Sequence, residues 1–220
     1  MYRQILLAQW GASRPAVLTF VVLAFAAPLA AVYVGTSGAG TDVGQVRGWL
    51  AGAERVGALL PMLALFVGVF LGIAAWAPDH LGRHVYALSL PLPRWQFVLL
   101  RFAAGATLLA PPIAALGLGA VLASLAVSLP AGIHAYPAHL TVRFALATLL
   151  CFSMFFSIAI ATRRAVLSVL GLIGGVLLAD LIYNTFTGGS FSITAAMFEG
   201  LTTWPGPLAI LMGRWALFDV

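Results

Sequence analysis

Two histidines stand four residues apart behind an acid, in Asp79-His80-x-x-x-His84. On a helix that spacing puts both imidazoles on one face, where they can hold a metal ion. No third ligand stands nearby, Arg83 shares that side, and the chain has only 4 histidines. The pair reads as solvated helix residues, and no metal site is expected. His134 and His139 sit at the edge of an apolar run rather than inside it, which does not suit haem ligation. Asp180 stands within an apolar run, about four residues from its end. A carboxylate at mid-bilayer costs about 2.5–3.5 kcal/mol, less near the interface. Asp180 therefore reads either as a polar group on a substrate path or subunit seam, or as a hydrated residue beside Tyr183 and Asn184. Cys151, the 1 cysteine, can form neither an internal disulfide nor a multi-cysteine metal site. It reads as a small buried hydrophobe. There is no His-Glu-x-x-His and no Gly-x-Ser-x-Gly, and every basic residue is Arg. Without lysine a Walker A loop is impossible. No catalytic residue is assigned, and the chain is not expected to be an enzyme.

The elements that must position these residues follow from composition. Of 220 residues, 62% are hydrophobic and 8% charged, with a mean hydropathy of +1.06. A soluble domain carries about 25% charged residues, so this chain cannot cover a water-facing surface of its own size. A soluble enzyme, a disordered chain and a disulfide scaffold are excluded. The predicted fold is an all-α membrane protein, a polytopic bundle of five to six spans in a single domain over 1–220. A span needs roughly 20 apolar residues, so no room remains for a soluble catalytic domain. The net charge of +5 comes from arginines spread over loops, which points to topology rather than to nucleic acid.

Residues 1–13 read as a short surface helix. Spans are expected at about Pro15–Val34, Val56–Trp76, Phe102–Leu129, Val142–Thr162 and Ala165–Tyr183, with a kink at Pro111-Pro112. The first is expected to be a retained span rather than a cleaved signal. Pro207–Val220 would be about 21 Å as a helix, so a sixth span is short or missing. With the N-terminus inside, Arg3, Arg14, Arg83, Arg94, Arg101, Arg163 and Arg164 face the cytoplasm; Arg47, Arg55, Arg143 and Arg214 do not. That excess satisfies the positive-inside rule. No internal repeat supports an inverted-repeat carrier. Gly171, Gly174 and Gly175, like Gly68 and Gly72, offer small-residue faces for close helix approach.

Residues 77–102, between the second and third spans, are the most informative stretch. Asp79 after Pro78 is an N-cap, and Pro91 ends the helix that it starts. Leu81, Val85 and Leu88 form one stripe, with His80, Arg83 and Ala87 opposite. Arg94 and Arg101 follow on one face, where they are expected to snorkel to lipid headgroups.

Asp79-x-x-Gly82, then Leu88-Ser89-Leu90-Pro91-Leu92-Pro93-Arg94 and an apolar helix, resembles the cytoplasmic loop of type-2 ABC exporter permeases. In layout the resemblance covers nearly the whole chain; in residues it is specific over about 79–101. It implies a coupling helix that touches an ATP-binding cassette ATPase through Asp79, His80, Leu81, Arg83, His84, Val85, Leu88, Pro91 and Arg94. It also implies half-buried extracellular helices over 191–204, and a permease dimer, homomeric or heteromeric, in the bilayer. Gly171, Gly175 and Asp180 are candidates for its seam or path. ATP and Mg would belong to the partner; this chain would need no cofactor and no nucleic acid. The location implied is a bacterial inner membrane. ATP would close the ATPase pair, move the coupling helix, and reorient spans one, two and five. The rival readings are a non-transporting membrane scaffold and a membrane-embedded enzyme using Asp180 or the histidines.

Overall fold

The computed structural model describes residues 1–36, 54, 57–77, 93–127, 134–160 and 163–187, with scattered positions between 199 and 219. It is helical, with α1 over Tyr2–Thr36, α2 over Leu60–Ala74, α3 over Arg94–Leu125, α4 over Pro137–Ala159 and α5 over Arg163–Thr187. Two short strands, β1 at His134–Ala135 and β2 at Phe218–Asp219, complete the regular elements. By length and composition α1, α3 and α4 can cross a membrane, while α2 and the apolar part of α5, Leu167–Tyr183, are shorter.

The helix starts follow proline chemistry. Pro137 opens α4 and Pro61 lies in the first turn of α2, positions where a missing N–H costs nothing. Pro93, extended at ψ 135°, precedes α3. That helix therefore begins eight residues before the expected Phe102 and takes in both Arg94 and Arg101. It continues through Pro111 and Pro112, which a helix shielded by neighbours tolerates.

The described residues form two compact units. The first holds residues 1–156 and 214–220. Its core is built from one stripe per helix. In α1 the stripe is Gln9, Ser13, Val17, Ala24, Pro28 and Ala31; in α4 it is Leu140, Phe144, Ala147, Cys151 and Phe152. The other faces are apolar too: Leu18, Val22, Phe66, Leu118, Leu122 and Leu146 are exposed. So broad an uncovered apolar surface suits lipid rather than water.

Close approaches fix the helix directions. Gly117 meets Thr141 and Gly105 meets Phe152, so α3 and α4 run antiparallel. A Cβ on Gly68 would lie 2.6 Å from Cys151 Cβ, and one on Gly72 2.9 Å from the Phe156 nitrogen, so α2 runs with α4. Gln9 meets the Arg101 carbonyl and Phe25 the backbone at Gly119, so α1 runs with α3. The four helices alternate up and down.

The start of α1 departs from that line. Tyr2 Oη lies 2.7 Å from Thr107 Oγ1, further along α3 than the partner of Gln9. From Tyr2 to Gln9 the contacts move back along α3, and from Gln9 to Phe25 they move forward. The sequence predicts a separate helix over 1–13 and then a span; the structure joins them in one helix, Tyr2–Thr36, with Pro15 and Pro28 inside it.

No transmembrane helix appears among the described residues of 207–220. Ala209–Leu211 form one 3-10 turn, and β2 pairs antiparallel with β1, Phe218 against Ala135. The N–H of Tyr136 donates to the Leu217 carbonyl at 2.9 Å. Residues 217–219 therefore lie at the α3–α4 turn, the end of the first unit opposite Gln9 and Arg101.

The second unit, residues 157–213, contains α5. On α5, among the described side chains, Asp180 alone is buried, at 6% exposed, while Leu167, Leu172, Leu178 and Leu181 are exposed.

Candidate functional site

The sharpest polar arrangement lies where α1, α2 and α3 meet. Arg101 is 5% exposed, although the sequence predicts that it snorkels to headgroups beside Arg94. Arg94 is exposed at the first position of α3; Arg101, two turns deeper, is turned into the bundle. Its Nε donates to the Ala75 carbonyl at 2.6 Å. Ala75 caps the C-terminal end of α2, where carbonyls lack helical partners and carry the negative end of the helix dipole. The guanidinium lies 4.8 Å from the Trp76 ring centre and 5.2 Å from that of Phe97. Each such contact contributes roughly 2 kcal/mol when water is excluded. Local sequence makes this possible: Arg101 falls on the stripe Phe97, Ala104, Leu108, so burying the stripe buries the cation.

The second tie comes from α1. Gln9, 2% exposed, donates its amide to the Arg101 carbonyl at 3.2 Å, and Ser13 donates to the Gln9 carbonyl at 2.7 Å. Gln9 Oε1 and Trp76 Nε1 are buried and have no hydrogen-bond partner among the described residues. Packed behind them, Trp76 and Phe156 have ring centres 5.3 Å apart, as do Phe102 and Phe152. The polar side chains of the site are the guanidinium of Arg101, the amide of Gln9, the hydroxyl of Ser13 and the indole N–H of Trp76. The arrangement ties helices together: one planar cation joins the end of α2 to the start of α3, and Gln9 joins α1 to α3.

The residues expected to meet an ATPase, Asp79, His80, Leu81, Arg83, His84, Val85, Leu88 and Pro91, lie outside the described residues. Ala77 and Pro93, which flank them, are the described ends of that segment. Gly171 and Gly175 on α5 have no atom within 4 Å of an added Cβ, whereas Gly68 and Gly72 are occupied by α4. Asp180 is buried, at 6% exposed. Cys151 is free and 1% exposed, the small buried hydrophobe expected of it. The sequence reading missed Gln9, Trp76 and the burial of Arg101. The available signal was a polar pair, Gln9 and Ser13, in line with Val17 on an otherwise apolar stripe.

At the opposite end Trp215, Leu217 and Phe218 are buried, and the Arg143 guanidinium lies 4.8 Å from the Trp215 ring centre. An apolar groove of about 370 Å³ runs between α1 and α2, lined by Ala12, Phe66, Val69, Phe70 and Ile73. It offers no polar anchor to orient a ligand. Among the described residues no group of three or more His, Cys, Asp or Glu can hold a metal. No family model, curated protein or solved structure matches the chain.

Proposed function

We propose that this chain is the permease subunit of an ATP-driven ABC exporter, embedded in a bacterial inner membrane with its N-terminus in the cytoplasm. It assembles with a second permease and with ATP-binding cassette ATPases that supply ATP and Mg chemistry. The observation that carries this reading is the 79–101 sequence, in which Asp79, the Leu81, Val85 and Leu88 pattern and Pro91 precede Pro93 and a long apolar helix. Support comes from the up-down order of α1 to α4, which returns both flanks of that stretch to the end holding Gln9. The arginine distribution puts that end inside. In this reading residues 1–13 lie toward the cytoplasmic surface. Five crossings, with α5 as the fifth, suit this reading. Its open face at Gly171 and Gly175 suits the second permease.

The test is affinity purification in mild detergent. An ATPase carrying a Walker A motif is expected to co-purify with the unmodified chain. Val85→Pro would cost a helix expected from the sequence over 80–90 roughly 3 kcal/mol without touching a described span. It is expected to abolish that association while expression and permease dimers survive. Full ATPase yield with Val85→Pro would remove the coupling role from this stretch.

A further inference from the structure

We propose that Arg101 is a positioning residue that makes both flanks of the 78–92 segment move as one piece with α1. The segment starts one residue after Ala77 and ends one residue before Pro93. Ala75 and Trp76 stand on its near flank, and Phe97 on its far flank. The Arg101 guanidinium engages all three, through the Ala75 carbonyl and the two rings. Gln9 takes the Arg101 backbone carbonyl, so the same residue also carries the link to α1. Apolar helix contacts alone allow sliding. A planar guanidinium that donates to a carbonyl and lies near two rings set at 69° to each other is held in a way that an ammonium cannot reproduce.

A purely space-filling arginine behaves differently. Methionine at 101 keeps most of the side-chain length and apolar contact while removing the charge and the donor, so it separates packing from positioning. The functional consequence rests on the transporter reading above; the mechanical one rests on the geometry alone.

The experiment is amide hydrogen exchange on the full chain in lipid nanodiscs. In Arg101→Met, exchange at Trp76 and at Gln96–Phe97 is expected to rise together by about tenfold, the loss of one charged hydrogen bond. Exchange at Phe144, far from the site, stays unchanged and reports an intact fold. Arg101→Lys keeps the charge and is expected not to restore protection. Gln9→Leu is expected to raise exchange around residues 9–13 while the two flanks stay protected. If Arg101→Met does not reach the membrane, Phe97→Leu keeps the cation, removes one ring, and is expected to raise Trp76 exchange by about threefold. Unchanged flank exchange in these variants, or full protection in Arg101→Lys, overturns the proposal. In the ATPase complex, Arg101→Met is expected to keep ATPase yield and KM for ATP and to lower kcat. A fall in yield or a changed KM with kcat intact contradicts the positioning role. Absence of any ATPase refutes the transporter reading alone, because the exchange result still decides the mechanical one.

Discussion

Adding one methyl group at Gly68 tests how the first unit is held together. An alanine Cβ there would stand 2.6 Å from Cys151 Cβ, 2.6 Å from the Thr148 carbonyl oxygen and 2.8 Å from the Phe152 nitrogen. Carbon atoms pack at about 3.5–4.0 Å, so α2 and α4 must separate by roughly 1 Å. Two of the three obstacles are backbone, which cannot rotate away. Overpacking of this kind costs typically 1–3 kcal/mol, offset by up to about 1 kcal/mol from the better helix propensity of alanine. For a chain of this size each kcal/mol shifts Tm by about 2–4 °C. Gly68→Ala is therefore expected to lower Tm in detergent by several degrees. Gly171→Ala and Gly175→Ala, with nothing within 4 Å, are expected to leave monomer stability unchanged or slightly higher. Thermal unfolding followed by near-UV circular dichroism is the assay. Equal Tm for Gly68→Ala and Gly171→Ala would refute the α2–α4 seam.

Gly171→Leu with Gly175→Leu is expected to weaken permease dimers, measured by size in detergent, while monomer unfolding stays intact. Cys151 is expected to resist maleimide in the folded protein and to react in denaturant; labelling at equal rates in both would contradict its burial. Trp215→Ala is expected to free the C-terminal strand and make the stretch after residue 212 protease-sensitive from the outer face of intact cells. In a Cys151→Ala background, a cysteine at Ser37 is expected to react with an impermeant reagent in intact cells, and one at Ser89 is not. The reverse pattern would invert the orientation.

Much of the architecture follows directly from the chain. Apolar runs interrupted by Pro78, Pro93 and Pro137 mark where helices start and stop, because a proline nitrogen cannot join the ladder. The start of α3 was harder to read, since Arg94 and Arg101 look like a polar flank when counted by residue type. Only the stripe Phe97, Arg101, Ala104, Leu108 shows that one arginine faces the core. The path of the C-terminal residues was illegible for a different reason. A two-residue strand gives no periodic signal, and the Trp215–Arg143 contact joins positions far apart in sequence. The start of α1 lies between: Gly11 and Pro15 announce a break, and the structure keeps one helix through both.

The central claim is that residues 80–90 meet an ATPase. A photoreactive amino acid placed at Arg83, activated in intact cells, tests it most directly. The expected product is a covalent adduct between this chain and a second chain that carries a Walker A motif, lost in the Val85→Pro background. Adducts to lipid or to a second copy of this chain, with no ATPase among them, would contradict the account and favour the scaffold reading.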